Sequence, residues 1–461
     1  MQILSEENVY ENGGMAMISL LKKYIENKNV LILGFGREGR STYKRICEAG
    51  GFCSVTIADK NPVNESLPEN IKLITGEAYQ DSLNDYDIVF KSPGVVLKYP
   101  YDSYTCKITS QTEIFLERYA SNTIGITGTK GKSTTTTLIY HILSENNADC
   151  VLTGNIGIPC FDVIEKVHSD TKVVFELSCH QLENIHYSPS TAVFLNLFEE
   201  HLDHYGTFEK YAEAKRNIYK FQKSEDTLFC NTDVKPKSTE CLSKIITVSQ
   251  KNRMADIFVP SGVISYNGET IPIPLDKIKL AGNHNCYNVA VAYAVCRAAG
   301  LSDEQIIRSV CTYSPLPHRL EYIGTEDGVK YYDDSISTIC AAAIQAVVSL
   351  KDVDTLIVGG MDRGIDYTEL IEFLSDCTVS NIILMSDSGK RIYNEIIAKY
   401  TDSDFLNKLH TTEKLDGAVK AAKELTAKGK SCVLSPAAAS YNDFKNFEER
   451  GNAFRKLVFS K

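Results

Sequence analysis

Short β-branched runs recur along the chain with helix-length stretches between them, and this alternation restricts the fold more than any other feature. Val30-Leu31-Ile32-Leu33, Ser54-Val55-Thr56-Ile57 and Asp87-Ile88-Val89-Phe90 form one group. Thr123-Ile124-Gly125-Ile126, Lys172-Val173-Val174-Phe175 and Ala192-Val193-Phe194-Leu195 form a second. Val329-Lys330-Tyr331-Tyr332, Thr355-Leu356-Ile357-Val358, Asn381-Ile382-Ile383-Leu384 and Ser431-Cys432-Val433-Leu434 form a third. Buried strands alternating with helices build parallel sheets covered on both faces, with ligands at the carboxyl ends of the strands. Three rounds of this βαβ rhythm suit 461 residues, since a domain takes about 150. The helix-like TEIFLERY at 112–119 precedes a fresh strand, and Ser314-Pro315-Leu316-Pro317 breaks the chain before another. The expectation is an α/β protein of three domains, at residues 1–111, 112–315 and 316–461.

Composition narrows the function classes. Apolar residues make up 43% and charged residues 23%, which excludes a disordered or fibrous chain. With 49 Lys+Arg against 59 Asp+Glu the net charge is −10, so a coat on nucleic acid or on an anionic membrane is excluded, and any anionic ligand needs local positive potential. The longest apolar runs, VLIL at 30–33 and AVFL at 192–195, fall far short of the roughly 20 residues that cross a bilayer. The N-terminus carries glutamates and asparagine where a signal peptide has a basic region and an apolar run, so a cytoplasmic protein is expected. The 14 cysteines are scattered without any C-x-x-C, which reads as buried reduced thiols, not as disulfides or a zinc site.

Gly34-Phe35-Gly36-Arg37-Glu38-Gly39 follows the first strand and opens a helix, and Asp59 ends the next strand about twenty residues on. This spacing lets a backbone turn tightly against a diphosphate at a helix N-terminus, while the acidic residue bonds a ribose or a base. A nicotinamide dehydrogenase is one reading of it, and a glycine turn that serves only helix–strand packing is another. Neither accounts for the rest of the chain.

Thr127-Gly128-Thr129-Lys130-Gly131-Lys132-Ser133-Thr134 runs from a strand into a helix beginning near Ser133. Its amides suit phosphates, Lys132 the terminal ones, and Ser133 or Thr134 a Mg²⁺ ion, although the glycine spacing departs from G-x-x-x-x-G-K-[ST]. Glu176 at a strand end and His201 in Glu199-Glu200-His201-Leu202-Asp203-His204 are candidate metal ligands near that loop. A solvated glutamate and a packed histidine are the plainer readings of those two residues.

Taken together the motifs resemble the Mur ligases, ATP-dependent amide-forming enzymes of peptidoglycan stem-peptide assembly. TGTKGKSTTT at 127–136, TGNIG at 153–157, ELSCHQLE at 176–183, EEHLDHYGTFEKYAEAK at 199–215, GNHNCYN at 282–288, HRLE at 318–321 and LSPAAASYNDFKNFEERG at 434–451 stand in the family's order. KSPGV at 91–95, TEIFL at 112–116 and the last of those segments look most like the branch that adds D-glutamate to UDP-N-acetylmuramoyl-L-alanine. The resemblance implies a Rossmann-like N-terminal domain for the UDP-sugar, a P-loop ATPase-like central domain, and a Rossmann-like C-terminal domain for the amino acid. It implies Gly36, Arg37, Glu38, Asp59, Lys60, Ser92, Asn155 and His201 at the UDP-sugar. ATP falls on Gly128, Thr129, Lys130, Gly131, Lys132, Ser133 and Thr134, with Asn288 at the adenine, Arg319 on the phosphates and Asp334 at the ribose. Mg²⁺ falls on Ser133, Glu176, His201 and Lys215, the last as a carbamate; by its helical context alone Lys215 reads as a solvated lysine. Lys132, His201, Lys215 and Arg319 are the implied catalytic residues, and Thr338, Arg363, Ser440 and Phe447 the amino-acid contacts. A monomer without nucleic-acid partner or membrane insertion is expected.

Two segments depart from the family pattern. Glu200 occupies the place of an aspartate, and Asp334-Ser335-Ile336-Ser337-Thr338-Ile339 stands where D-glutamate ligases read Asp-Ser-Lys-Ala-Thr-Asn. Ile336 and Ile339 offer no polar group to an amino-acid carboxylate.

Overall fold

A computed structural model describes residues 13–280, 282–350 and 352–460. The first twelve residues, on which part of the N-terminal reading falls, lie outside the described residues. Three sheets organise the described chain. The first holds β1 (Asn29–Leu33), β2 (Ser54–Asp59), β3 (Lys72–Thr75), β4 (Ile88–Lys91) and β5 (Lys107–Thr109), all parallel, in the order β3-β2-β1-β4-β5. Val30 and Ile32 pack on one side against Met17, Leu21 and Ile25 of the helix Gly13–Ile25, while Leu31 and Leu33 pack on the other with Leu83 and Val89. Two covered faces are why this strand is a continuous apolar run with no alternation.

The second sheet holds β6 (Thr123–Thr127), β7 (Cys150–Gly154), β8 (Lys172–Glu176), β9 (Thr191–Phe194), β10 (Thr227–Asn231), β11 (Lys244–Ser249), β12 (Ile257–Phe258), β13 (Val263–Tyr266) and β14 (Glu269–Pro272). Their order is β14-β13-β12-β11-β10-β9-β6-β8-β7. The third holds β15 (Glu321–Glu326), β16 (Val329–Asp333), β17 (Val353–Gly359), β18 (Asn381–Met385), β19 (Leu409–Thr412) and β20 (Ser431–Leu434), in the order β15-β16-β20-β17-β18-β19. All the strand runs read from the sequence are strands here. The expectation of purely parallel sheets is corrected at two edges: β12, β13 and β14 form an antiparallel meander, and β15 runs antiparallel to β16. An edge strand has only one neighbour and one well-covered face, so a tight turn with its short hairpin extends it without a crossover helix.

The chain packs as two compact units, Met1–Leu275 with Cys286–Cys311, and Asp276–Asn285 with Thr312–Lys461. Within the first unit Arg45 ties the first two sheets together, its Nε donating to Phe161 O at 2.9 Å and its Nη2 to Glu165 Oε2 at 2.8 Å. All 14 cysteines are unpaired; eight of them are buried. No described helix is long and apolar enough to cross a membrane.

Candidate active site

β6 delivers the chain to a loop, Gly128–Gly131, and the helix Lys132–Glu145 follows, starting one residue earlier than the sequence suggested. Gly131 caps this helix with φ 83°, a left-handed conformation that favours glycine, and a Cβ there would stand 2.8 Å from Asn288 Oδ1. Asn288 therefore lies against the phosphate loop. Asn196, just past β9, holds the loop down: its Oδ1 accepts from Thr129 N at 3.1 Å and Lys130 N at 2.8 Å, and its Nδ2 donates to Lys130 O at 3.0 Å. The first turn of a helix is the donor class that suits an anion, and here it is formed by Lys132, Ser133 and Thr134. Lys132 Nζ folds back over the loop, 2.9 Å from Gly128 O and 3.0 Å from Thr129 O. Lys130 Nζ reaches the Glu200 carboxylate at 2.9 Å, so that family departure carries an ion pair onto the loop.

Glu176 ends β8 opposite Ile126 of β6 and is 1% exposed. Its Oε1 accepts from Asn155 Nδ2 at 2.9 Å, while its Oε2 is buried without a hydrogen-bond partner. Such an oxygen costs about 1–3 kcal/mol unless a donor or a cation reaches it, and a hard divalent cation beside a phosphate loop is the ligand class that does. The residues present fit Mg²⁺ on that ground. Lys215 comes up from the helix Phe208–Lys220, buried, and donates to Gly128 O at 2.8 Å. Burial, and after it the Lys132 ammonium, pushes its pKa down to about 7. The sequence reads Lys215 as a solvated helix residue in isolation; the fold makes it the opposite. His201, with φ 58°, stands 3.8 Å from Glu200 Oε2, and its ring centroid is 5.0 Å from that of His180. Burial, with His204 and His201 nearby, drives the His180 pKa down to about 3, so that imidazole is neutral.

In the first glycine loop Gly39 is fixed by packing, since a Cβ on it would meet Gly34 O at 2.1 Å. Asp59 holds the loop's shape: its Oδ2 accepts from Phe35 N at 2.6 Å and its Oδ1 from Asn61 N at 2.8 Å. Ser92 Oγ donates to Gly34 O at 2.7 Å, Arg37 Nη1 to Gly157 O at 3.0 Å, and Lys60 stays exposed near Glu77. Gly36 is open to solvent with nothing near its Cα face. Glu38 reaches the second sheet's side, where its Oε1 accepts from Gln181 Nε2 at 2.7 Å. Gln181, buried and held by the capping box with Ser178, is a link that the sequence did not single out. Burial raises the Glu38 pKa to about 7, against Gln181 and Lys91, which lower it. A folded-state pKa above the ordinary 4.5 means stability present below pH 4.5 and lost as pH rises through 7. Glu38→Gln keeps the acceptor for Gln181 and removes the charge. It is expected to stabilise the protein by about 2 kcal/mol at pH 8 and by little at pH 5, read as melting temperatures at the two pH values.

In the second unit Arg319 follows His318, whose φ of 62° turns the chain sharply. His318, Glu321 and Asp333 gather closely enough to resemble a metal cluster, but their atoms are spent on one another and on the chain. His318 Nδ1 bonds Asp333 Oδ2 at 2.7 Å, Glu321 Oε2 accepts from His318 N at 3.0 Å, and Glu321 Oε1 pairs with Arg455 at 2.5 Å. The knot fixes the turn that carries Arg319. Asp334 is buried, accepting from Leu320 N at 3.0 Å, Ser337 Oγ at 2.6 Å and Ser435 Oγ at 2.7 Å. Arg363 Nη2 donates to Thr338 O at 2.9 Å, and Ser335 Oγ donates to Phe447 O at 2.8 Å. Arg450, fully buried and unremarked in the sequence, joins these loops by donating to Ser335 O at 2.8 Å, Ala438 O at 3.0 Å and Ala439 O at 3.1 Å. Thr338, Arg363, Ser440 and Phe447 thus follow the carboxyl ends of β16, β17 and β20, with Ser440 lining a small cavity beside Gly360 and Arg450.

Comparison with known proteins places this architecture. Residues 126–296 match the model of the Mur ligase middle domain. The chain is 32% identical over 457 residues to the UDP-N-acetylmuramoylalanine--D-glutamate ligase of Geobacillus kaustophilus, covering 95% of this chain and 98% of that one. It is 33% identical over 461 residues to the protein of the same name from Acetivibrio thermocellus, again covering 95% and 98%. Among solved structures, a MurF ligase from Thermotoga maritima in complex with ADP superposes with a TM-score of 0.55 at 17% identity, covering 96% of this chain and 98% of that one, a likeness of fold. The chain belongs to the Mur ligase family, among relatives named UDP-N-acetylmuramoylalanine--D-glutamate ligase.

Proposed function

We propose that this chain joins D-glutamate to UDP-N-acetylmuramoyl-L-alanine at the expense of ATP, through an acyl phosphate, in cytoplasmic peptidoglycan precursor synthesis. The observation that carries the reading is the meeting, in one fold of that family, of the phosphate loop with the orphaned Glu176 oxygen and the buried Lys215 amine. A carboxylate is a poor acylating agent; transfer of the γ-phosphoryl group gives it a leaving group, and the amine of the incoming amino acid then displaces phosphate. Lys132 and the helix amides at 132–134 offset the triphosphate charge that repels the substrate carboxylate. Mg²⁺, held by Glu176, Ser133, His201 and carbamylated Lys215, would supply further charge neutralisation. Asn288, Arg319 and Asp334 keep the ATP roles that the family resemblance gives them, and the one-sheet-each arrangement supports domains at 1–111, 112–315 and 316–461. The molecule acts as a monomer.

The test is phosphate release and product mass with UDP-N-acetylmuramoyl-L-alanine and ATP, run with D- and L-glutamate side by side. Ile336 and Ile339 remove two polar side chains from the amino-acid pocket, so Arg363 is the cation left to hold the glutamate side-chain carboxylate. Arg363→Ala is expected to raise the KM for D-glutamate by about 30-fold or more, since truncating a charged contact costs on the order of 2–5 kcal/mol, with the KM for ATP unchanged. A preference for L-glutamate overturns the D assignment, and activity with neither overturns glutamate.

A further inference from the structure

Arg363 sits on the loop that leaves β17 and leads into the helix Thr368–Asp376. The start of this loop is tied to its neighbours through backbone: Met361 N donates to Ala439 O at 2.9 Å, and Gly360 N to Ser388 Oγ at 2.9 Å. Beyond that point the chain leaves the sheet, and Arg363 and Gly364 are exposed. Strand pairing therefore does not fix where the Arg363 guanidinium stands.

Arg391, from the helix Ser386–Lys399, grips the loop on both sides of Arg363. Its Nη1 donates to Asp362 Oδ1 at 2.7 Å and its Nη2 to Ile365 O, and its guanidinium lies over the buried ring of Tyr367, 4.8 Å from the centroid. The same Asp362 oxygen accepts from Gly364 N at 2.9 Å, so the residues before and after Arg363 converge on one side chain. A planar fork of N–H donors can hold a carboxylate, a carbonyl and an aromatic face at once, which the point charge of a lysine cannot.

The charges divide between the two arginines. Arg391 is matched by Asp362 and, through its Nε, by Glu395 Oε1 at 2.9 Å. Arg363 donates to Thr338 O at 2.9 Å, and among the described residues no carboxylate lies within ion-pair distance of it. One guanidinium is committed to the protein and the other is left for an acidic ligand. Resting on the proposed function, we infer that Arg391 is a positioning residue for the incoming amino acid, clamping residues 362–367 so that Arg363 meets the side-chain carboxylate. Arg391 acts through Arg363 and touches no substrate itself.

The test is a double-mutant cycle on the full chain. Arg391→Gln should raise the KM for D-glutamate about tenfold, with kcat within threefold and the KM values for ATP and UDP-N-acetylmuramoyl-L-alanine within twofold. Arg391→Lys should recover part of the loss. In an Arg363→Ala background, Arg391→Gln should change the KM for D-glutamate by less than about twofold, because the group it positions has gone. A full tenfold effect in that background would show independent action and overturn the inference, and so would an unchanged KM in Arg391→Gln alone. If Arg391→Gln fails to fold, Asp362→Asn weakens the clamp from the loop side and should raise the same KM; an unchanged KM there overturns the inference. Absence of ligation by wild-type protein counts against the proposed function, and hydrogen exchange then decides the clamp. Amides of residues 362–367 should exchange about tenfold faster in Arg391→Gln than in wild type, and equal rates would overturn it.

Discussion

Lys132→Ala is expected to reduce ligation by about two to three orders of magnitude while the protein stays folded. The ammonium rests on Gly128 O and Thr129 O, which are backbone acceptors of the loop it serves. Losing two such bonds at a partly buried site costs about 1–2 kcal/mol of stability, a small part of what a domain holds. Alanine is also a good first residue for the helix Lys132–Glu145. The catalytic loss is larger because the charge is wanted where the transferring phosphoryl group develops its own, in a site that water enters poorly. Turnover of the variant close to wild type, with a normal melting curve, would remove the phosphate loop from the reaction.

How much of this was legible in the chain differs from one residue to another. The glycine and lysine spacing around Gly131 announced the loop because the requirement is local: a left-handed φ, a helix start and a strand before it are all consecutive in sequence. The parallel strands were equally visible, since cover on both faces leaves apolar runs such as Val30–Leu33. The meander β12–β14 was not. Ile257–Phe258 is two residues long, and Glu269–Pro272 buries only Ile271, so neither periodicity nor run length marks them. Arg450 was invisible for a different reason. In FEERGNAFRKLVF an arginine reads as a solvated helix residue, and only the carbonyls of Ser335, Ala438 and Ala439, far away in sequence, explain its burial. A signal did exist: Phe447, Gly451, Phe454 and Val458 form an apolar helical stripe, and Arg450 falls on it. Glu38 is a further case: the resemblance puts it beside the diphosphate and uracil, and the bond it accepts from Gln181, 143 residues away, is a partner that no local pattern marks.

Lys215 is where the chemistry and the pH dependence meet, and Lys215→Ala is expected to lower turnover by about three orders of magnitude. The wild-type amine is buried, with a pKa pushed down to about 7 by burial and then by the Lys132 ammonium. A lowered lysine pKa means that the neutral amine, the form whose nitrogen lone pair attacks CO₂, prevails above pH 7. Forming the N–C bond releases a further proton and leaves a carbamate anion. Two protons are therefore lost in going from ammonium to carbamate. At fixed dissolved CO₂ the carbamate should fall away below pH 7 twice as steeply as one ionisation allows. ¹³C-labelled CO₂ gives a direct reading of it by NMR. In Lys132→Ala the midpoint of that signal should move to higher pH, because the neighbouring positive charge that favours the neutral amine has gone. What Lys215→Ala lacks is a small carboxylate in a dry space next to Gly128, so short carboxylic acids added at millimolar concentration should restore part of its turnover. Inactivity without rescue, together with an unmodified Lys215 in a high-resolution electron-density map of the wild-type protein, would overturn the carbamate and leave the buried amine as a hydrogen-bond donor to the phosphate loop.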